Sequence, residues 1–274
     1  MKSIGFIQGR LSPLVNGRIQ CFPWKCWREE FKLANEYGFG LIEWTLDQER
    51  LYENPLMNVS GQKEIKSLMK KYNLKIPSLT GDCFMQAPFY KGNNERIAKN
   101  LIEDFINVIK ACGELNINFI VMPLVDNGSL ENENQICLLK TGLEQIKPSL
   151  IKHKVKIVFE SDFAPKQLEK FIATFDDELF GINYDIGNSA ALGFDPLEEI
   201  ANYGKRILNV HVKDRMLNGG TVPLGEGSAD FLTVFKGLKN INYKGDYILQ
   251  TARAANNDHA NVLCKYRDMV QAWI

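Results

Sequence analysis

Apolar residues in this chain cluster in two alternating ways. Short, nearly continuous runs occur at 4–8, 41–44, 75–80, 117–122, 155–160, 181–185, 207–213 and 245–250. Their length and their content of Ile, Val and aromatic residues suit buried strands. Between them, apolar positions recur every three or four residues, as on one face of a helix. Trp27, Phe31 and Ala34 form such a stripe within 24–37, which Gly38 stops. Ile65, Leu68, Met69 and Tyr72 form another within 58–72. The clearest stripe, Ile97, Leu101, Phe105, Val108, Ile109 and Cys112, predicts a helix over 94–115. Leu139, Leu143, Ile146 and Leu150 predict one over 132–153, with Pro148 expected to disturb its last turns. Shorter helices are expected at 165–175, 196–203, 230–238 and 256–273.

Strand-then-helix alternation implies right-handed βαβ units and a parallel sheet. Eight such pairs favour a closed (β/α)8 TIM barrel, a single domain over residues 1–274, rather than an open doubly wound sheet. No GxGxxG follows the first strand, which counts against a dinucleotide fold. Chemistry in such a barrel sits at the carboxyl ends of the strands. Four consecutive strands end on Glu160, Asp185, the His211-Val-Lys213 pair and Gln250. Side chains alternate along a strand, so Phe159, Val210, Val212 and Leu249 take the helix side. Glu160, Asp185, His211 and Gln250 then share one polar crown at the barrel mouth. Oxygen donors with one imidazole suit Mn, Mg, Co or Zn, and clustered carboxylates repel unless a cation or proton lies between them. Asp185 also stands where it could cap a helix, and Lys213 with Asp214 could form a plain ion pair. Glu43, near the end of the second strand, and Asp82, just past the third, are expected to bind substrate. Arg10, Arg215 and Arg253 are expected at the mouth, placed to grip a substrate phosphate or carboxylate. The glycine-rich loop 217–228 is either a bend or a lid.

Charge and cysteine content narrow the class. The 33 basic and 33 acidic residues balance and are spread evenly, so the basic footprint of a nucleic-acid binder is missing. No run approaches the ~18 apolar residues of a membrane span, and residues 1–10 hold no apolar stretch of the length expected of a signal peptide. Six cysteines without CxxC spacing suit free thiols in a reducing cytoplasm. The sequence does not set the oligomeric state and is compatible with a homo-oligomer.

The chain resembles the xylose isomerase-like barrels, the group of sugar isomerases, epimerases and inosose dehydratases. The resemblance covers essentially the whole chain. It is carried by Glu160, Asp185-Ile-Gly187, His211-Val-Lys-Asp214 and Pro223-Leu-Gly-Glu-Gly227 ahead of Asp230. Gln8-Gly-Arg-Leu-Ser-Pro13, Ile42-Glu-Trp44 and Ile248-Leu-Gln-Thr-Ala-Arg253 resemble the sugar-phosphate isomerase/epimerase branch. The resemblance implies metal ligands at Glu160, Asp185, His211 and position 250, and a sugar or sugar phosphate as substrate. Two positions depart from it: Gln250 stands where many members carry glutamate, and Asn188 where many carry histidine. One base, Glu160, suffices for aldose–ketose isomerisation through an enediolate. Epimerisation needs another group, with Lys213, Asp82 or Glu43 as candidates. Dehydration of a cyclic polyol or keto acid stays open, as does a catalytically weak sugar-binding barrel. The endonuclease IV branch fits poorly, because its site uses many histidines and this chain has only three.

Overall fold

Strand β1 (Ile4–Ile7) opens the described part of the chain, and the computed structural model covers residues 4–92 and 94–274. Helix α1 (Trp27–Glu36), β2 (Ile42–Thr45), α2 (Val59–Tyr72) and β3 (Ser78–Thr80) follow. Then come α3 (Asp82–Gln86), α4 (Glu95–Glu114), β4 (Phe119–Leu124), α5 (Glu133–His153), β5 (Lys156–Ser161) and α6 (Pro165–Ile172). Next are β6 (Phe180–Asp185), α7 (Ile186–Leu192), α8 (Pro196–Tyr203) and β7 (Ile207–Val212). The chain ends with β8 (Asp214–Arg215), β9 (Thr221–Val222), α9 (Phe231–Asn240), β10 (Tyr247–Leu249) and α10 (His259–Trp273). Strands β1 to β7 and β10 pair in parallel and close in the order β1-β10-β7-β6-β5-β4-β3-β2. This is the eight-stranded barrel that the alternation predicts.

The outer core is built from the strand residues expected to face the helices. Phe159 meets Phe171, Phe175 and Phe180 at centroid distances of 5.5, 5.2 and 5.8 Å, joining β5 to α6 and β6. Trp44 lies 5.7 Å from Trp27, and both are buried. These two tryptophans pack in the core. Asn58, Asn94 and Asn132 cap α2, α4 and α5 by accepting backbone N–H bonds, which sets three helix starts near the expected positions.

Three details differ from the sequence reading. Helix α5 runs through Pro148 to His153, held by the buried Ile146 and Leu150 on either side. Loop 217–228 carries β9, which pairs antiparallel with β8 just ahead of the loop, and these two-residue strands are too short to show a period. Its glycine-rich part folds round Asp214, whose carboxylate accepts N–H bonds from Gly225, Gly227 and Ala229. Asp214 is therefore a loop anchor, and Lys213 pairs elsewhere.

One buried acid ties the β1 loop to α1. Glu30 accepts the N–H groups of Gly9 and Leu11 at 2.9–3.0 Å. Gly9 needs its glycine, with φ at +94°. Burial pushes the Glu30 carboxyl up from 4.5 to about 7, against the pull of those amides. The folded value exceeds the unfolded one, so protonation favours the fold. That contribution is complete below about 4.5 and is lost as pH rises through about 7. At ~1.4 kcal/mol per pH unit it amounts to ~3 kcal/mol. Glu30→Gln keeps an acceptor for both amides but does not titrate. The stability of the wild type minus that of this variant, from urea melts, is expected to fall by ~3 kcal/mol between pH 4.5 and 7.5. Parallel curves would contradict the assignment.

Candidate active site

The polar crown depends on one irregularity in the sheet. Ile182 pairs with Ile207, but Asn183 pairs with Asn209, so Leu208 is passed over. A single-residue offset reverses which face a strand presents. Here it sets Asn183 beside Asn209 and Asp185 beside His211, all buried. Pro123 pairs with Glu160, and Ile248 pairs with His211 on the other side of β7.

His211 is the hub. Its Nε2 lies 2.8 Å from Glu43 Oε1. Its Nδ1 faces Asn183 Nδ2 at 3.1 Å, Glu160 Oε2 at 3.3 Å and Asp185 Oδ2 at 3.9 Å. Glu43 is fully buried and also accepts from Asn209 at 3.0 Å, from Ser78, and from Thr80. The arrangement suits Nε2–H donating to Glu43, which leaves Nδ1 as the nitrogen facing Glu160 and Asp185. Glu43, expected to bind substrate, thus sits one layer beneath the mouth as the support of His211.

Both oxygens of Glu160 are positioned by amides. Asn183 donates to Oε2 at 2.8 Å and Asn188 to Oε1 at 2.7 Å. Asn188 also accepts from Arg215 at 2.9 Å. Asp185 divides its oxygens. Oδ1 caps α7 by accepting Asn188 N–H at 2.9 Å, while Oδ2 pairs with Lys213 Nζ at 2.7 Å. Lys213 also donates to Gln250 Oε1 at 2.8 Å. Gly187 makes room for this lysine, because a Cβ there would lie 2.8 Å from the Lys213 side chain.

The charges are set by burial and by one another. Burial would raise Glu160, but His211 and Lys213 hold it below the ordinary carboxylate range. Burial raises Asp185, helped by the Glu160 charge and opposed by Lys213. Burial would lower His211, but Glu43 and Glu160 raise it to about 10. Glu43 and Glu160 therefore hold a proton on the imidazole, and Asp185 pairs with the Lys213 side chain beside it. This is the electrostatic signature of a cation site.

The donor set fits a divalent ion. Glu160, Asp185 and His211 offer ligand atoms that all lie within 4.8 Å of one another. Ligands ~2.1 Å from a common ion lie ~3–4 Å apart, so little movement is needed to close on one. Gln250 Oε1 joins them through the shared Lys213 ammonium.

A cavity of about 360 Å³ opens above this cluster, a size suited to a small ligand. Glu160, Lys213, Gln250, Asp82, Arg215 and Gln20 are among the residues lining it. Two of the three expected arginines lie elsewhere. Arg10 is buried, with Nε on Thr251 O at 2.9 Å and Nη1 on Ile19 O at 2.8 Å. Arg253 donates to the carbonyls of Gly9 and Ser12. Both brace the β1 loop against the end of β10, and Arg215 alone of the three lines the cavity. Asn183, Asn188, Asn209 and Gln20 were not anticipated as site residues. Asn183 and Asn209 stand two residues before Asp185 and His211, so shared strand parity marks them. Gln20 lies in an irregular segment with no period to reveal it.

A family model described as xylose isomerase-like TIM barrel matches residues 31–265. L-ribulose-5-phosphate 3-epimerase UlaE of Salmonella paratyphi A is 24% identical over 259 residues, covering 90% of each chain. Among solved structures, an IOLI protein with a bound zinc atom superposes with a TM-score of 0.77 at 18% identity, covering 100% of this chain and 99% of that one. The 3-keto-D-glucoside 4-epimerase YcjR from E. coli gives 0.73 at 16% identity, covering 98% and 100%. At those identities the two structures speak for the fold.

Proposed function

We propose, because the chain belongs to the xylose isomerase-like TIM barrel family, that it is a divalent-metal-dependent isomerase or epimerase of a sugar or sugar phosphate. The observation that carries this reading is the convergence of Glu160, Asp185 and His211 on one buried point beneath a cavity that Glu160 also lines. The similarity to curated L-ribulose-5-phosphate 3-epimerases supports the substrate class.

Glu160, Asp185 and His211 would hold the ion, with Gln250 Oε1 as a neutral fourth donor. Mn, Mg, Co or Zn bound there would polarise the substrate carbonyl. Glu160 is the base. It removes the proton from the carbon beside that carbonyl, and the electron pair moves onto oxygen to give the sugar's enediolate. The amides of Asn183 and Asn188 fix where its oxygens point. Lys213 is the second catalytic group, with its ammonium offsetting negative charge on the substrate. Arg215 takes the phosphate of a phosphorylated substrate, while Arg10 and Arg253 act indirectly by fixing the loop over the barrel.

The test is proton exchange in deuterated water. Metal-loaded protein incubated with a panel of ketoses and ketose phosphates, L-ribulose 5-phosphate among them, is expected to exchange one carbon-bound hydrogen beside the carbonyl, read by NMR. Silence across the panel would overturn the reading. Loss of water without exchange at that carbon would point to a dehydratase instead.

A further inference from the structure

Gln250 leaves the eighth strand without a carboxylate, and one base cannot put a proton on the opposite face of the carbon it deprotonates. A hydrogen-bond chain leads from Gln250 to a buried carboxyl on the cavity wall, Asp82. Gln250 Nε2 donates to Gln20 Oε1 at 2.9 Å, and Gln20 Nε2 donates to Asp82 Oδ2 at 2.7 Å. Asp82 lines the same cavity as Glu160, on the wall beyond the end of β3, with β4 between them.

Asp126 also lines the cavity but stands exposed on the loop after β4, and the remaining candidates are already engaged. Glu43 is sealed below His211 with donors on both oxygens. The Lys213 ammonium is shared between Asp185 and Gln250. Asp47 accepts from Phe22 N–H and from Gln86. Asp82 carries one neutral donor, from Gln20.

We infer that Asp82 is the second proton-transfer residue of the cavity, making the reaction a two-sided epimerisation, with Gln20 as its positioning residue. The inference rests on the proposed function above. Glu160 takes the proton from carbon, the C–H pair becomes the enediolate, and the Asp82 O–H delivers its proton to the other face as the carbonyl re-forms. Glu160 is left protonated and Asp82 ionised, and exchange with water in the cavity resets both. Burial raises the Asp82 carboxyl to about 7, with Asp47 and Glu160 adding to the rise, and Gln20 and His211 opposing it. A carboxyl titrating there both donates and accepts at neutral pH.

The isotope pattern decides. With L-ribulose 5-phosphate and the other ketoses in deuterated water, early product from the wild type is expected to carry deuterium while recovered substrate stays largely protiated. Asp82→Asn is expected to lower epimer formation by ~100-fold or more, while exchange back into substrate stays within ~10-fold, because Glu160 still works. Product that keeps the original hydrogen, or an Asp82→Asn variant that epimerises within a few-fold of wild type, would overturn the inference. Should the variant not fold, the wild-type pattern decides by itself. No exchange by the wild type with any ketose would remove the proposed function, and this inference with it. Exchange without epimer formation would remove the inference alone.

Discussion

Glu160→Gln is expected to cut hydrogen exchange at the substrate carbon by ~10³-fold, within the range for losing a positioned general base. Two effects act together. The amide has no proton-accepting charge, and its N–H group must face the N–H of Asn183 or Asn188, each of which now donates to a carboxylate oxygen. The second effect also costs stability, by ~1–3 kcal/mol for one mismatched buried pair. Exchange rate and urea midpoint should therefore be measured on the same samples. A folded variant that exchanges within ten-fold of the wild type would show that Glu160 is not the base.

Glu43→Gln should act at longer range, through the histidine. Glu43 holds His211 Nε2 at 2.8 Å and so fixes which nitrogen faces Glu160 and Asp185. Supporting carboxylates of metal-bound histidines typically contribute 10–100-fold in affinity. Calorimetric titration with Mn²⁺ is expected to show a loss of that size in Glu43→Gln. Unchanged affinity would mean that Glu43 only fills the barrel. The same substitution sets an amide N–H against Ser78, Thr80 or Asn209, so a lower melting temperature without metal is also expected.

The barrel and the Glu160, Asp185 and His211 cluster were legible because one rule governs both. A strand of period two sends Phe159 to the helices and Glu160 to the mouth, and the same alternation separates Val210 from His211. The bulge at Leu208 was not legible. Nothing in Ile207-Leu-Asn-Val-His-Val announces a skipped residue, yet without it Asp185 would not stand beside His211. Arg10 and Arg253 look like substrate grips from their places after β1 and β10. Their guanidinium groups instead satisfy carbonyls of a loop whose path the sequence does not specify. Glu43 was read as lying near the end of the second strand, but β2 runs on to Thr45, and the depth of Glu43 could not be read, since parity gives a face and not a layer. Gln20 lay hidden in an irregular segment, and with it the connection between Gln250 and Asp82.

Metal-dependent chemistry in this barrel requires that Glu160, Asp185 and His211 share a single ion. Crystals grown with Mn²⁺ and measured for anomalous scattering test this directly. One strong peak within ~2.3 Å of a Glu160 oxygen, an Asp185 oxygen and His211 Nδ1 is the expected result. A peak elsewhere, or none at a manganese concentration that supports exchange, would contradict it.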